Sequence, residues 1–543
     1  MARNGADILA QSLIASGLTH GFHVPGEGIL DLLDALEHRH PGIALVHCRH
    51  EAGSAFAAIG HARATGAVGL CIAGRAPGAL NTCLALHTAW TDAVPLLLII
   101  GQAAAAFAGR EAFLDTAFHQ VFTPLAKLVT QVDDPARLPE AVSRAIHVAR
   151  SGQPGPVVLI VPEETFRATA DPAILPPPPP IAPAPGATDF AAIESALGAA
   201  ERPLLILGGG GWSDAGLDAA RRFAEAQDLP VLVSYRRRDL FDNDHPNFIG
   251  ELGIGLDPSL TARVAAADLL VVLNMRLGEL NTIGEGFHGF SLLAAPRPAM
   301  RLVHIHADAG ELNRVYQADR AVLAEPNEAA EALARLPGRT RGDWRGAGRA
   351  AHLAYRAGGE CPGPLDLKAV FTQLRAALPP DAVLSVGAGA YALWAQRYFI
   401  HHQPRCQLGP KSGAMGYGLP AAIGAAVSCP GRTVVALAGD GCFMMNAEEL
   451  ATAVHHRLRL VVLVMDNGSF GAIRIGQERA FGRPTGVALT NPDFVDFARS
   501  FGAKAERVAE TAAFAPALAR ALGHDGVTLL HLVVPPEATR PPR

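Results

Sequence analysis

Two short stretches in the last third of the chain combine residue types that can do chemistry. In "TVVALAGDGCF" an apolar run ends in Asp440 between two glycines. In "RLVVLVMDNGSF" a second apolar run ends in Asp466 and Asn467. Each run is short, Val-rich and closed by glycine, the pattern of a buried strand that turns into a helix. Gly439 and Gly441 permit a tight bend and a close approach of ligand to backbone. The next stretch, "NAEELATAVHHRL", has a helical pattern, so its first N–H groups are free to face an anion. A carboxylate, an amide oxygen and nearby backbone carbonyls are hard ligands, suited to Mg²⁺ on a diphosphate. Two ordinary strand-to-helix turns would carry the same residues, and spacing alone does not choose between the two readings.

The elements that must hold these residues recur along the whole chain. Runs such as "GIALVH", "VGLCIAG", "PLLLIIG" and "GPVVLIVP" alternate with Ala-rich helical stretches such as "EAGSAFAAIGHARATG". That alternation predicts repeated βαβ units and parallel sheets buried on both faces. Residues 171–189, "DPAILPPPPPIAPAPGATD", interrupt it as a proline-rich, extended linker. Residues 336–364 interrupt it again; they are polar and Gly/Arg-rich, with a helical patch. The predicted architecture is three α/β domains, each a doubly wound parallel sheet, over 1–170, 190–335 and 365–543. A frayed tail is expected at "PPEATRPPR". Such sheets bind ligands beyond the carboxyl ends of their strands.

Composition sets the outer bounds. At roughly 150 residues per domain, 543 residues make three or four domains. A chain 49% hydrophobic and 18% charged is globular rather than disordered. A net charge of −5 without a basic block gives no nucleic-acid footprint. Seven cysteines lack any CxxC pair, which suits reduced thiols in a cytoplasmic protein. The apolar runs fall well short of the ~18 residues of a membrane helix, and the N-terminus reads as a helix rather than a signal peptide. Neither nucleic acid nor membrane is expected as a partner.

The segment "GDGCFMMNAEELATAVHHRLRLVVLVMDN" resembles the thiamine diphosphate motif, which runs from GDG to a closing Asn. Many relatives have two asparagines where this chain has Asp466-Asn467. Upstream, "SGAMGYGLPAAIGAA" is similar to the corresponding block of acetolactate synthase-like enzymes. The first domain adds "HVPGEGILDLLDAL", "CRHEAGSAFAAIGHA", "RAPGALN", "HTAWTDAVPLLLIIGQ" and "REAF", in the order of that superfamily's pyrimidine-binding domain. The resemblance covers nearly the whole chain. It implies a pyrimidine-binding, a middle and a diphosphate-binding domain, in that order.

It also implies roles. Asp440, Asn467 and the carbonyl of Ser469 would hold Mg²⁺, with backbone N–H groups near Gly441, Cys442, Phe470 and Gly471 on the phosphates. Ala390, Tyr391 and Gly413 would line the cofactor, and Met415 would prop it bent or simply pack in the core. Pro77 and Asn81 of "RAPGALN" fall to the pyrimidine side. Glu51 matches the glutamate that hydrogen-bonds the aminopyrimidine ring. Standing alone, it would read as a helix N-terminal Glu favoured by the dipole. Because that glutamate serves another subunit's diphosphate site, a homodimer or dimer of dimers is implied.

Substrate choice is less legible. Glu27 in "HVPGEG" lies where pyruvate decarboxylase-like enzymes have a catalytic Asp, and reads equally as a proton relay or a solvated loop residue. Arg75 is expected near the substrate, either holding a carboxylate or paired with an acid such as Glu27 or Asp115. The decarboxylase pattern wants two adjacent histidines; "REAFLDTAFHQ" has only His119. It also wants a Glu where Ala472 and Ile473 stand. Leu114 replaces the family's Gln. The middle domain lacks an "RFDDR"-like stretch, so flavin (FAD) is not expected. The tryptophans Trp90, Trp212 and Trp394 read as packing, and the histidines of "HHQPR" and "AVHHRL" have no evident metal-ligand partner. The leading expectation is decarboxylation of a 2-oxo acid with transfer of the acyl anion equivalent to an acceptor. The alternatives are a benzaldehyde lyase-type lyase, a decarboxylase of bulkier 2-oxo acids, and a non-catalytic cofactor-binding paralogue.

Overall fold

A computed structural model describes residues 2–284 and 289–542. It contains three six-stranded sheets, and every strand pair within them is parallel. The apolar runs become central strands buried along their length, such as Leu96–Gln102, Pro156–Pro162 and Leu460–Asp466. Only strands covered by helices on both faces tolerate such unbroken apolar sequence.

In the first sheet the strands run Ala44–His47, His20–His23, Gly69–Ala73, Leu96–Gln102, Pro156–Pro162, Leu128–Gln131. The third sheet runs Gln407–Leu408, Val383–Val386, Val434–Gly439, Leu460–Asp466, Val527–Val533, Lys504–Val508. Numbered by sequence, both have the same order, with the second strand at one edge and the first beside it. The middle sheet differs. Its first strand, Pro203–Leu207, lies at the centre between Val231–Val233 and Leu269–Leu273. The order reverses beside the first strand in each sheet, and ligand crevices open at such reversals.

The first and third domains share one apolar core, in which Phe56 and Ile59 join Tyr417, Ile423 and Val462. Its axis is the contact between two equivalent helices, Glu51–Thr65 and Gly418–Ser428. Both are glycine- and alanine-rich, and their backbones nearly touch. A Cβ on Gly60 would stand 2.7 Å from Ala421 Cα, and one on Gly424 would stand 2.7 Å from the Ala57 carbonyl carbon.

The proline-rich segment carries no helix or strand until Ala187–Ala199 begins, with Asp189 capping the Gly186 N–H. The helical patch of the second connection is Trp344–Ala357, pinned where Arg263 stacks on the Trp344 ring at 4.3 Å. The tail is docked rather than frayed. Trp394 Nε1 donates to the Ala538 carbonyl at 2.7 Å, and Thr539 is buried; Arg543 lies outside the described residues. Trp212 and Trp394 pack in the interior, whereas Trp90 keeps 37% of its surface exposed. Among the described residues no helix is long and apolar enough to cross a membrane.

Candidate active site

Asp440 and Asn467 are brought together by register. Gly439 pairs with Met465 across adjacent parallel strands, so the residues leaving both strands emerge side by side. Asp440 is buried, and its Oδ2 accepts the Ser469 N–H at 3.2 Å. Asn467 Oδ1 accepts the same N–H at 3.1 Å, and its Nδ2 donates to Thr539 Oγ1 at 2.9 Å. Asn491, which carried no signal in the sequence, bridges two carboxylates: its Nδ2 donates to Asp440 Oδ2 and to Asp466 Oδ1, both at 2.8 Å. His531 Nε2 lies 2.9 Å from Asp466 Oδ2. Burial opposes charge on both aspartates. At Asp440 burial prevails and the pKa is raised. At Asp466 the hydrogen bonds from His531, Gly468 and Asn491 outweigh it and the pKa is lowered.

The donor set fits a hard cation carrying a diphosphate: carboxylate and amide oxygens, with the Ser469 hydroxyl buried and unpartnered among the described residues. The glycines fit as well, because a Cβ on Gly441 would stand 2.6 Å from the Phe470 ring. Among the expected phosphate-facing amides, those of Phe470 and Gly471 are engaged within the chain. Phe470 N–H donates to Val487 O at 2.9 Å, and Gly471 N–H to Ser469 O at 2.8 Å. The Tyr391 side chain is buried against Gly389, Gly439 and Cys442. Met415 packs at the edge of that same core, and Gly413, at φ +74°, has open space around it.

Because Asn491 orients Asp440 without being one of the expected ligands, Asn491→Ala is expected to weaken Mg²⁺ binding about 10–100-fold, the usual cost of losing such a supporting contact. Titration of the full chain with Mg²⁺ by calorimetry, with thiamine diphosphate present, measures it.

On the first domain, Glu51 begins its helix directly after the extended residue His50, whose Nδ1 accepts the Ala52 N–H at 3.2 Å. Asn81 Nδ2 donates to Glu51 Oε2 at 2.8 Å. Glu51 Oε1 lies over Gly78, where a Cβ would come within 2.6 Å of it. Asn81 therefore fixes one carboxylate oxygen and leaves the other at the glycine turn; Pro77 beside it is exposed.

The third domain reaches this helix start through Glu449, which is fully buried. Glu449 Oε1 accepts the N–H groups of Arg49 (3.1 Å) and His50 (3.0 Å), and Oε2 accepts the Thr452 hydroxyl at 2.6 Å. Gly53 makes room, since any Cβ there would overlap the Glu449 carboxyl. Burial pushes Glu449 up to about 7 from an ordinary 4.5, against those hydrogen bonds. Between these two values the folded chain keeps a proton that the unfolded chain has released. This contribution to stability is fully present below 4.5 and is lost as pH rises through about 7. Glu449→Gln keeps an acceptor oxygen and removes the titration. The fall in urea midpoint between pH 4.5 and 7 is therefore expected to flatten in that variant.

Glu27 and Arg75 occupy neighbouring loops where the first sheet reverses. Arg75 N–H donates to the Glu27 carbonyl at 3.2 Å, but the two side chains do not pair. The acid partner of Arg75 is Glu163, in place of Glu27 or Asp115, and its NH1 also donates to the Phe113 carbonyl at 3.2 Å. Glu163 follows the strand Pro156–Pro162, too distant in sequence to suggest itself. Glu27 is exposed. His119 is exposed too, and bonds within its own helical turn to Thr123. Leu114 takes a left-handed conformation, φ +60°, uncommon for a leucine and characteristic of loops under functional constraint. Ile473 is 58% exposed. Among the described residues, no hydrogen bond joins Glu51 to Asp440, Asn467 or Ser469 within the chain. The pair "AVHHRL" does find a neighbour: the rings of His455 and His456 meet His47 of the first domain.

Three family models match the chain in order: the thiamine pyrophosphate enzyme N-terminal TPP binding domain over residues 3–122, the central domain over 190–333, and the C-terminal TPP binding domain over 387–532. The chain is 32% identical to the acetolactate synthase isozyme 2 large subunit of Escherichia coli, covering 98% of this chain and 95% of that one. It is 34% identical to chloroplastic acetolactate synthase 1 of Zea mays, covering 98% and 86%. It is 30% identical to the acetolactate synthase large subunit of Corynebacterium glutamicum, covering 95% and 84%. Three parallel-sheet domains in this order, and relatives matched end to end, show that the chain belongs to the thiamine pyrophosphate enzyme family.

Proposed function

We propose that the protein decarboxylates a 2-oxo acid of the pyruvate type and passes the acyl anion equivalent to a carbonyl acceptor, as an acetolactate synthase does. The observation that carries this reading is the carboxylate of Glu51, fixed by Asn81 on one oxygen and left free on the other. Thiamine diphosphate, when bound, supplies the nucleophilic carbon and the electron sink that decarboxylation needs. The chain supplies everything around it. Asp440, Asn467 and the Ser469 carbonyl would hold Mg²⁺ beside the diphosphate. Glu51 would face the aminopyrimidine ring through Oε1, with Asn81 fixing the carboxylate by its other oxygen, Oε2. Arg75, already held by Glu163, braces the loop that bears Pro77 rather than acting as a free anchor for a substrate carboxylate.

Because Glu51 and the Asp440 group lie unjoined on separate domains of one chain, the reading completes each site across two subunits of a homodimer or dimer of dimers. Glu51→Gln and Asp440→Ala, each inactive by itself, are then expected to restore activity when unfolded and refolded together. Mixtures as inactive as either variant would count against the shared site. The reading of the substrate is tested by CO₂ release from pyruvate and bulkier 2-oxo acids, with and without aldehyde or 2-oxo acid acceptors. Release that depends on thiamine diphosphate and Mg²⁺, with a ligated product, is the expected result. Aldehyde alone would make the enzyme a plain decarboxylase.

A further inference from the structure

We propose that His47, His455 and His456 form a binding site for a divalent transition-metal cation of the imidazole-preferring class, Zn²⁺ foremost, at the junction of the first and third domains. His47 is the last residue of the edge strand Ala44–His47. His455 is the last residue of the helix Glu449–His455, and His456 follows as its C-cap. One ring nitrogen of each lies within 4.8 Å of the other two. The ring centroids form a closed triangle with sides of 4.3, 5.0 and 5.0 Å, and each pair meets edge to face.

Tetrahedral zinc with bonds of ~2.0–2.1 Å places its nitrogen ligands about 3.4 Å apart. Small side-chain rotations close the present triangle to that size. His47 and His456 are half-buried and held by the two domains, whereas His455 is exposed and free to swing. The exposed side also gives a cation its way in.

The surroundings favour a metal over a proton. Burial lowers the pKa of His47 and His456, and each is lowered further by its histidine neighbours. They therefore present neutral rings, the form that binds metals. The buried Nε2 of His456 has no hydrogen-bond partner among the described residues. Behind them His23 stands in register with His47 on the adjacent strand, with centroids 6.4 Å apart. Its Nδ1 is likewise buried and unpartnered, and burial pushes its pKa down to about 4. His23 or a water would complete the coordination.

Ligand chemistry separates this site from the Asp440 group. Imidazoles select Zn²⁺, Ni²⁺ or Cu²⁺, while carboxylate, amide and carbonyl oxygens select Mg²⁺. Position gives the site a purpose. It ties the third domain to a strand end four residues ahead of Glu51, on the segment that Glu449 also grips.

The test uses the full chain without a histidine tag, stripped with chelator and then kept in excess Mg²⁺ to fill oxygen sites. Co²⁺ is titrated in and followed by visible absorption, then displaced by Zn²⁺ in a calorimeter. One equivalent per chain is expected, with the intense bands of four-coordinate cobalt. His455→Ala, at an exposed position that the fold does not need, is expected to weaken binding at least tenfold. His455→Ala with His456→Gln is expected to abolish it, with circular dichroism unchanged. Bands and Zn²⁺ affinity equal in parent and variants would overturn the proposal, as would the absence of stoichiometric binding in the parent.

Discussion

Glu51→Gln is expected to slow exchange of the C2 proton of bound thiamine diphosphate by about 10²–10⁴-fold, the range typical for loss of a positioned proton-transfer group. The variant keeps size and helix position. It loses the carboxylate that can share a proton with the ring, and the amide must also turn its oxygen toward Asn81 Nδ2 to preserve the 2.8 Å hydrogen bond. That turn points its NH₂ group at the glycine turn, where the carboxylate offered an acceptor. Cofactor affinity is expected to change less than tenfold, because the Asp440–Asn467–Ser469 set lies on the other domain. Exchange measured by quenched-flow NMR needs no knowledge of the substrate. Exchange as fast as in the parent would remove Glu51 from the mechanism and leave the proposed chemistry without its base.

Much of the fold was legible because parallel sheets write themselves as apolar runs of fixed length. "PLLLIIGQ" and "RLVVLVMD" had few alternatives to being buried strands. Strand order was not legible: the same alternation serves the middle sheet and the outer two, and the difference lies in which helix crosses which face. The site was legible where its residues sit at strand ends on a recurring motif, as Asp440, Asn467 and Glu51 do. It was illegible where tertiary packing makes the contact. Asn491 lies in the loop before Asp493 caps its own helix, and only the fold sets it between Asp440 and Asp466. For Arg75 a substrate carboxylate and an acid such as Glu27 or Asp115 were both open, and its partner is Glu163, at the carboxyl end of the strand Pro156–Pro162. The pair His455-His456 has adjacent rather than i, i+4 spacing, so helical periodicity gives no metal signal; the helix ends at His455, and that turn brings both rings together. The third ring comes from the other domain. The tail read as frayed because proline and arginine are abundant there, yet the buried Trp394 indole needs an acceptor and takes the Ala538 carbonyl.

The contact that brings those domains together gives the largest expected loss of stability. Gly424→Val is expected to cost about 3 kcal/mol or more, at or beyond the upper end of overpacking penalties. A side chain at Gly424 runs into the Ala57 carbonyl, with the His61 amide nitrogen 2.9 Å away. Both obstacles are backbone inside the helix Glu51–Thr65 and cannot rotate aside. The reciprocal contact of Gly60 with Ala421 makes the crossing equally intolerant from the other side. Helix propensity works the other way, since glycine inside a helix is roughly 0.8–1.0 kcal/mol worse than alanine. Gly476 isolates that opposing effect. It lies within the helix Gly471–Phe481 with nothing within 4 Å of a prospective Cβ. Gly476→Ala is therefore expected to leave the urea midpoint unchanged or raise it, while Gly424→Val and Gly60→Val lower it sharply. If Gly424→Val proved as stable as the parent, the two helices would not be in backbone contact in solution. The shared core of the first and third domains, which holds the Glu51 helix beside Glu449, would then need a different packing.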